Sequence, residues 1–174
     1  MSGTIYRRPT WVRLRLVNPI LRAMVLRAGL GRRGEQNLMR VLRVRGRRSG
    51  REYETPVRIA VWNGGRYVVS LMGEAEWARN LRAAGTAQLL LGTSVEPVVA
   101  YEISGEEKTA FLLWYCKQPY HMLSVRAGLR VNPAKLTPAK IDRVVRQFPI
   151  FRLDPSGPPG EPADTSPYLG VSGS

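Results

Sequence analysis

The stretch from Leu38 to Leu71, LMRVLRVRGRRSGREYETPVRIAVWNGGRYVVSL, decides the fold. Apolar and polar residues alternate with the two-residue period of a β-strand on both sides of a glycine- and arginine-rich turn at 46–51. The Asn-Gly-Gly sequence at 63–65 is a strong hairpin signal. The stretch therefore predicts an antiparallel meander with strands at 38–45, 52–62 and 66–71.

The chain after this meander alternates helical patterns with a second hairpin. Gly85 ends the first helical pattern, and Ser104 followed by Glu107 resembles a capping box that begins the next one. The predicted elements are a helix at 74–84, strands at 87–91 and 94–103, a helix after Ser104, a helix at 139–147 and a short final strand at 150–153. About six strands that arrive mostly as hairpins predict an α+β fold, a small antiparallel barrel with flanking helices.

The two ends of the chain differ from this central domain. Asn18 and Pro19 are typical of a helix start, and apolar residues with 3,4 spacing predict a short amphipathic helix that Gly29 and Gly31 end. This helix either packs on the domain, which we favour, or lies on anionic lipid. Pro, Gly and Ser dominate residues 155–174, which we expect to be disordered. The predicted organisation is a basic N-terminal segment (1–31), a barrel domain (32–154) and a tail.

Composition restricts the classes of function. The chain has 174 residues, one Cys and one His, which leaves no pair for a disulfide and no zinc-ligand spacing, so we expect no metal site. Of the net charge of +14, residues 1–51 carry +13. Such a basic block favours nucleic acid, an anionic membrane surface or an anionic small ligand. No apolar stretch reaches the length of a membrane span and no signal-peptide pattern occurs, so we expect a cytoplasmic protein, peripheral to a membrane if the helix binds lipid.

The turn at 46–51, Gly-Arg-Arg-Ser-Gly-Arg, is the most informative local feature. Glycine lets backbone N–H groups converge, and arginine presents paired donors that match phosphate or carboxylate oxygens. The turn lacks the Gly-Lys-Ser/Thr ending of a P-loop. A solvated polar hairpin turn explains the same residues equally well.

Trp77 and Asn80 form a second candidate pair in the helix that follows the meander. They are three residues apart and project from one side of the helix, where an indole can cover a flat ring and an amide can bond its edge. The alternative, which we favour for either residue taken alone, is that Trp77 anchors the core and Asn80 bonds nearby backbone.

Taken in order, these motifs resemble a known family. The Asn-Pro helix, the Gly-Arg-Arg-Ser-Gly-Arg turn, Pro56, the Gly-Gly-x-Tyr-Val-Val-Ser strand at 64–70 and Trp-x-x-Asn-Leu at 77–81 are similar to the deazaflavin (F420)-dependent nitroreductase family over residues 16–103. The resemblance implies a split β-barrel and coenzyme F420 as cofactor. The coenzyme would supply the hydride, and the protein would supply position and a dry pocket.

The resemblance also assigns site residues. The arginine turn would grip the phosphate and polyglutamate tail, residues 56–57 and 69–73 would lie against the deazaflavin, and Trp77 and Asn80 would close the site. The implied coenzyme-binding residues are Arg47, Arg48, Ser49, Gly50, Arg51, Pro56, Val57, Val69, Ser70, Leu71, Met72, Gly73, Trp77 and Asn80. This sequence has Leu123 where nitroreducing members carry a later Tyr, so Tyr120 or His121 is the remaining candidate for a catalytic proton donor.

The leading hypothesis is an oxidoreductase that transfers hydride from reduced F420 to an unsaturated, quinone-like or nitro organic acceptor. Two alternatives stay open: a nucleic-acid-binding module that uses the basic first third, which we rank lower, and a protein that carries the coenzyme without turnover. We predict separate roles for the arginines of the turn, which bind the coenzyme tail, and those at 7–33, which flank the helix for which lipid contact is the alternative to packing. The oligomeric state is left open.

Overall fold

Six antiparallel strands close into a barrel in the order β1-β2-β3-β6-β5-β4. The structure is a computed structural model that describes residues 18–28, 38–71, 73–118 and 147–156. The strands are β1 (Leu38–Arg45), β2 (Glu52–Trp62), β3 (Gly65–Val69), β4 (Thr86–Leu91), β5 (Ser94–Glu102) and β6 (Ile150–Pro155). The helices are α1 (Asn18–Ala28), α2 (Glu76–Ala84) and α3 (Gly105–Lys117). The predicted α+β barrel with flanking helices is confirmed.

The meander forms as the sequence predicts, because its signals are local. β1 and β2 have the predicted bounds and pair over eight positions, from Leu38 opposite Ile59 to Arg45 opposite Glu52. Asn63 and Gly64 both take positive φ, at 48° and 74°, as a tight hairpin turn between twisted strands requires. This turn is what sets the register between β2 and β3.

The corner after β3 differs from the prediction. The Ser70 hydroxyl donates to the Gly73 carbonyl at 2.6 Å and the Ser70 carbonyl accepts from Gly73 N–H, so the chain turns at Ser70. β3 therefore ends at Val69 rather than at residue 71, and α2 begins at Glu76 rather than at residue 74. Local side-chain bonding of this kind competes with strand pairing.

The capping box predicted at α3 is wrong. Ser104 occupies the N-cap position but its side chain makes no capping bond. Glu107, the other half of the expected box, instead accepts a hydrogen bond from the Tyr67 hydroxyl at 3.1 Å. A tertiary partner has replaced the local one.

The barrel interior and its outer surface hold separate cores. Alternate residues of all six strands point inward, and α2 adds Ala78 and Leu81, which are fully buried, to this interior cluster. α1 packs outside the barrel, where Val25 contacts the cluster formed with Val41 and Leu90. α3 covers an aromatic cluster on the outer face of β2 and β3. Packing on the domain, the favoured arrangement of the N-terminal helix, is therefore observed for α1.

Several predictions fall on residues outside the described parts of the chain. They include the helix at 139–147, nearly all of the tail, Met72, Tyr120 and His121. The division into segments 1–31, 32–154 and 155–174 stays a prediction. Among the described residues, no helix has the length and apolarity to cross a membrane.

Candidate functional site

The arginine-rich turn joins β1 to β2 and is closed by its own backbone. Gly46 N–H donates to the Arg51 carbonyl at 2.7 Å, and Gly50 N–H donates to the Gly46 carbonyl at 2.9 Å. Gly50 has φ of +67°, which favours glycine, and a Cβ on Gly46 would lie 2.4 Å from a ring carbon of Tyr53, so a side chain at 46 would displace that ring. The turn is therefore a shaped structure whose arginines project from a fixed base.

Arg47 connects this turn to α2. Its guanidinium Nη1 donates to the Asn80 amide oxygen at 2.9 Å and to a Glu76 carboxylate oxygen at 2.7 Å. Its backbone N–H also points to the Asn80 oxygen, at 3.3 Å. Asn80 is buried and its oxygen accepts both bonds, so it fixes the position of Arg47 rather than leaving its oxygen free for a ligand.

Glu76 and Asn80 lie four residues apart, on one side of α2. The Glu76 side chain is 69% exposed, and its second carboxylate oxygen accepts from Arg79 at 2.9 Å. The hydrogen bond from Arg47 lowers the pKa of Glu76 below its ordinary value, with further lowering by the charges of Arg47, Arg79 and Arg48. The carboxylate is therefore ionised at neutral pH and shared between two guanidiniums.

The other members of the turn are open to solvent. Ser49 shares a hydrogen bond with the Tyr53 hydroxyl at 3.0 Å, and its oxygen accepts from Arg51 N–H at 3.3 Å. Arg48 is exposed, and no described carboxylate lies within ion-pair distance of it. Arg48 is thus available to an anion from solution.

The turn and α2 enclose a groove of about 320 Å³. Its lining brings together five of the predicted residues, which are Arg47, Arg48, Ser49, Trp77 and Asn80. Gly46, Tyr53, Glu54, Thr55 and Glu76 complete the wall. Residues some 30 positions apart in the sequence therefore meet around one concave surface.

Trp77 takes part in both the groove and the core. Its ring lies 6.2 Å from that of Phe151 and packs on the barrel interior, and the residue is also part of the groove lining. The two interpretations that the sequence left open for Trp77 are therefore compatible. An anchored indole is a rigid wall for a flat ligand.

Glu54 links the groove to both α1 and β1. Its carboxylate accepts hydrogen bonds from Arg22 of α1 and from Arg43 of β1, the latter at 2.9 Å. Burial acts to raise the pKa of Glu54, but these two arginines outweigh it and the pKa lies below its ordinary value of 4.5. Arg22 of the N-terminal helix is therefore not separate from the site, because it neutralises a carboxylate in the groove wall.

The remaining predicted residues lie elsewhere. Gly50 and Arg51 belong to the turn but do not line the groove, and Pro56 pairs with Val41 in the β1–β2 ladder. Val57 points into the barrel interior, whereas Val69 and Leu71 pack against the aromatic cluster under α3. Ser70 and Gly73 form the corner that leads into α2. The structure thus divides the predicted site between the groove and the end of β3.

Sequence reasoning missed the two carboxylates of the groove wall. Glu76 has a local signal, because it precedes Trp77 and shares a helix side with Asn80. Glu54 has none, since its partners Arg22 and Arg43 are 32 and 11 residues away. In the described ranges no group of three His, Cys, Asp or Glu residues is arranged to hold a metal ion.

Cys116 lies in α3 among the aromatic residues and is buried. Burial raises the pKa of its thiol to about 11. A thiol with this pKa is protonated at neutral pH and is a poor nucleophile, so Cys116 serves to pack the core.

Comparison with protein-family models gives a match to more than half of the chain. A family model described as F420H(2)-dependent quinone reductase matches residues 13–122. No match was found among curated proteins.

Several solved structures resemble the chain. An F420-H2 dependent reductase is 21% identical, with a TM-score of 0.41 over 67% of this chain and 93% of that one. A conserved hypothetical protein from Mycobacterium tuberculosis is 17% identical, with a TM-score of 0.45 over 68% and 73%. A putative 5-nitroimidazole antibiotic resistance protein from Bacteroides thetaiotaomicron is 13% identical, with a TM-score of 0.44 over 70% and 75%.

Proposed function

Because the chain belongs to the F420H(2)-dependent quinone reductase family, we propose that it reduces a quinone-like, unsaturated or nitro organic acceptor. Membership confirms the predicted family, the oxidoreductase class and coenzyme F420 as the cofactor. The identity of the acceptor and the residues of the site are the proposal.

One observation carries the assignment of the site: the groove joins a cationic turn to an aromatic wall. Arg47 and Arg48 present guanidinium donors to a polyanionic phosphate and glutamate tail, and Trp77 presents an anchored ring to a flat heterocycle. The donor set of the groove therefore fits the coenzyme. Bound there, reduced F420 would supply the hydride.

The chain itself supplies binding and orientation. Asn80 holds Arg47 in place, and the backbone bonds of the turn hold Arg48 and Ser49 at the groove. We assign the tail to Arg47, Arg48, Ser49, Gly50 and Arg51. The ring system extends, in this proposal, from Trp77 and Asn80 toward the end of β3, with residues 56–57 and 69–73 along it. Tyr120 is the proposed proton donor.

Coenzyme fluorescence tests the binding site directly. Titration with the protein should change the fluorescence of F420 at micromolar concentration. Arg47→Ala with Arg48→Ala should raise the dissociation constant at least tenfold. The matched control, Arg27→Ala with Lys117→Ala, removes two positive charges from exposed positions that do not line the groove. A wild-type protein that gives no response at any concentration refutes the proposal.

Turnover is a separate measurement. We expect oxidation of reduced F420 when a panel of quinones, enones and nitro compounds is added, with quinones as the fastest class. Coenzyme binding without turnover of any acceptor would contradict the reductase proposal and favour a carrier. Retention of nucleic acid at physiological salt, with no coenzyme binding, would favour the nucleic-acid module instead.

We also propose that α1 contacts an anionic membrane surface. Val25 docks the helix on the barrel, while Ile20 and Met24 stay 59% and 42% exposed. Exposed apolar side chains beside arginine are typical of helices that lie on anionic lipid. Ile20→Ser with Met24→Ser should reduce co-sedimentation with anionic vesicles, and binding that is unchanged would contradict this proposal.

A further inference from the structure

Arg47 is already paired with a carboxylate of the protein, that of Glu76. The Glu76 carboxylate lies 2.7 Å from Arg47 Nη1 in the groove where, under the proposed function, the coenzyme tail binds. Arg47 Nη1 donates to both Asn80 and Glu76, so a ligand phosphate or carboxylate can bond this nitrogen only if Glu76 gives way. The ease of that exchange depends on what else each partner is bonded to.

Glu76 has a second partner on its own helix. Its other carboxylate oxygen accepts from Arg79 Nη1 at 2.9 Å, and Arg79 lies three residues further along α2. When Glu76 leaves Arg47, it keeps this second ion pair. Both carboxylate and Arg79 are largely exposed, so the exchange takes place in water, where a single ion pair contributes little.

Arg47, by contrast, does not depend on Glu76 for its position. The buried Asn80 oxygen accepts from both the guanidinium and the backbone N–H of Arg47. The guanidinium therefore stays at the groove wall when its carboxylate partner changes. One partner is fixed and the other is displaceable.

We propose that Glu76 is a built-in competitor for the anion position on Arg47, displaced toward Arg79 when an anionic ligand binds and returning when the ligand leaves. The role deepens the proposed function, on which it rests for the identity of the natural ligand. It makes the coenzyme readily exchangeable, because the charge that the ligand leaves on Arg47 is neutralised at once by Glu76. The lowered pKa of Glu76 keeps this competitor ionised throughout the neutral range.

A double-mutant cycle between Glu76 and Arg47 tests the competition. The probe is inorganic triphosphate, titrated by calorimetry, so that the measurement does not require coenzyme binding. Glu76→Gln should tighten binding by about two- to fivefold, the size expected for removing one exposed ion pair that competes with the ligand. Arg47→Ala should weaken binding, since it removes a guanidinium from the groove.

The decisive comparison is Glu76→Gln in the Arg47→Ala background, where the carboxylate has no guanidinium to compete for and the tightening should largely disappear. If Glu76→Gln tightens binding equally in both backgrounds, Glu76 acts only through its charge and the inference is wrong. Glu106→Gln, which removes one exposed carboxylate from α3, is the control for net charge and should leave binding unchanged.

The same variants separate this inference from the proposed function. With F420 itself, Glu76→Gln should slow dissociation by about two- to fivefold in stopped-flow fluorescence. A wild-type protein that binds triphosphate but not F420 refutes the proposed function and leaves the competition intact. A wild-type protein that binds F420, with Glu76→Gln equal to or weaker than wild type for both ligands, overturns the inference alone.

Discussion

Replacing Asn80 by Ala should weaken coenzyme binding without touching any charged residue of the groove. Asn80 is 6% exposed, and its oxygen accepts hydrogen bonds from Arg47 Nη1 at 2.9 Å and from Arg47 N–H at 3.3 Å. The variant removes both bonds and leaves the guanidinium tied only to the exposed Glu76. Arg47 then loses the partner that holds it at the groove.

The magnitude follows from the two bonds. A hydrogen bond to a charged group contributes about 1.5–3 kcal/mol and a long neutral one about 0.5 kcal/mol, and water at the exposed face of the turn replaces part of this. We therefore expect a loss of about 2 kcal/mol in the free energy of unfolding, or about 4–8 °C in Tm for a chain of this length. The dissociation constant for F420 should rise by about tenfold, because the ligand must now order Arg47 itself.

Thermal unfolding and fluorescence titration of the same preparation measure the two effects. The matched control is Gln88→Ala, which removes another partly buried side-chain amide that accepts from an arginine, Arg43, at 3.2 Å. Gln88 does not line the groove, so this variant should lose stability but keep coenzyme affinity. If Asn80→Ala retains wild-type affinity, or if Gln88→Ala loses as much, Asn80 is structural only and our account of the groove is wrong.

Three further predictions concern titratable groups away from the arginine turn or at its edge. Burial lowers the pKa of Lys108 below 10.5, so the free energy of unfolding should rise as the pH increases from the folded pKa toward 10.5. Lys108→Met should remove this rise and leave Tm at neutral pH equal or up to about 3 °C higher, because the buried charge destabilises the fold. A lower Tm would contradict the prediction. Burial raises the pKa of the Cys116 thiol to about 11, so at pH 8 it should react with a disulfide reagent at least a hundredfold more slowly in the native protein than in denaturant. Equal rates would show that the thiol is exposed. Arg22 and Arg43 lower the pKa of Glu54, so its stabilising contribution is present above pH 4.5 and is lost as pH falls through the folded pKa. Glu54→Gln should reduce the free energy of unfolding by about 1 kcal/mol at pH 7 and make stability less dependent on pH in the acid range. An unchanged dependence on acid pH would contradict the assignment.

The site shows both the reach of sequence reasoning and its limit. The arginine turn and the Trp-x-x-Asn segment are short motifs whose residues are neighbours in the chain, and the groove brings the two together. The sequence did not predict which partner each residue of the groove bonds. Asn80 bonds a protein arginine, and Glu76 and Glu54 place in the groove wall two carboxylates that were not among the predicted site residues.

The charge block itself is the clearest example of that limit. The sequence suggested two independent sets of arginines, one for the coenzyme tail and one for the N-terminal helix. In the structure, Arg22 of α1 hydrogen-bonds Glu54 in the groove wall and shares this carboxylate with Arg43 of β1, so one arginine of the helix set is neutralised inside the site. Whether a charge is free or neutralised depends on its neighbours in space, which a count along the chain does not contain.

The sequence by itself determined the local structure and the family. Period-two alternation, Asn-Gly-Gly and the two glycines of the arginine turn specify β1, β2 and their hairpins, because strand period and turn φ are properties of adjacent residues. Only the tertiary structure decided the closure of the barrel, through pairing of β1 with β4 and of β3 with β6, and the docking of α2 on the arginine turn. Those contacts join residues about 30 to 85 positions apart, and their formation depends on how the whole core packs rather than on the preference of any one segment.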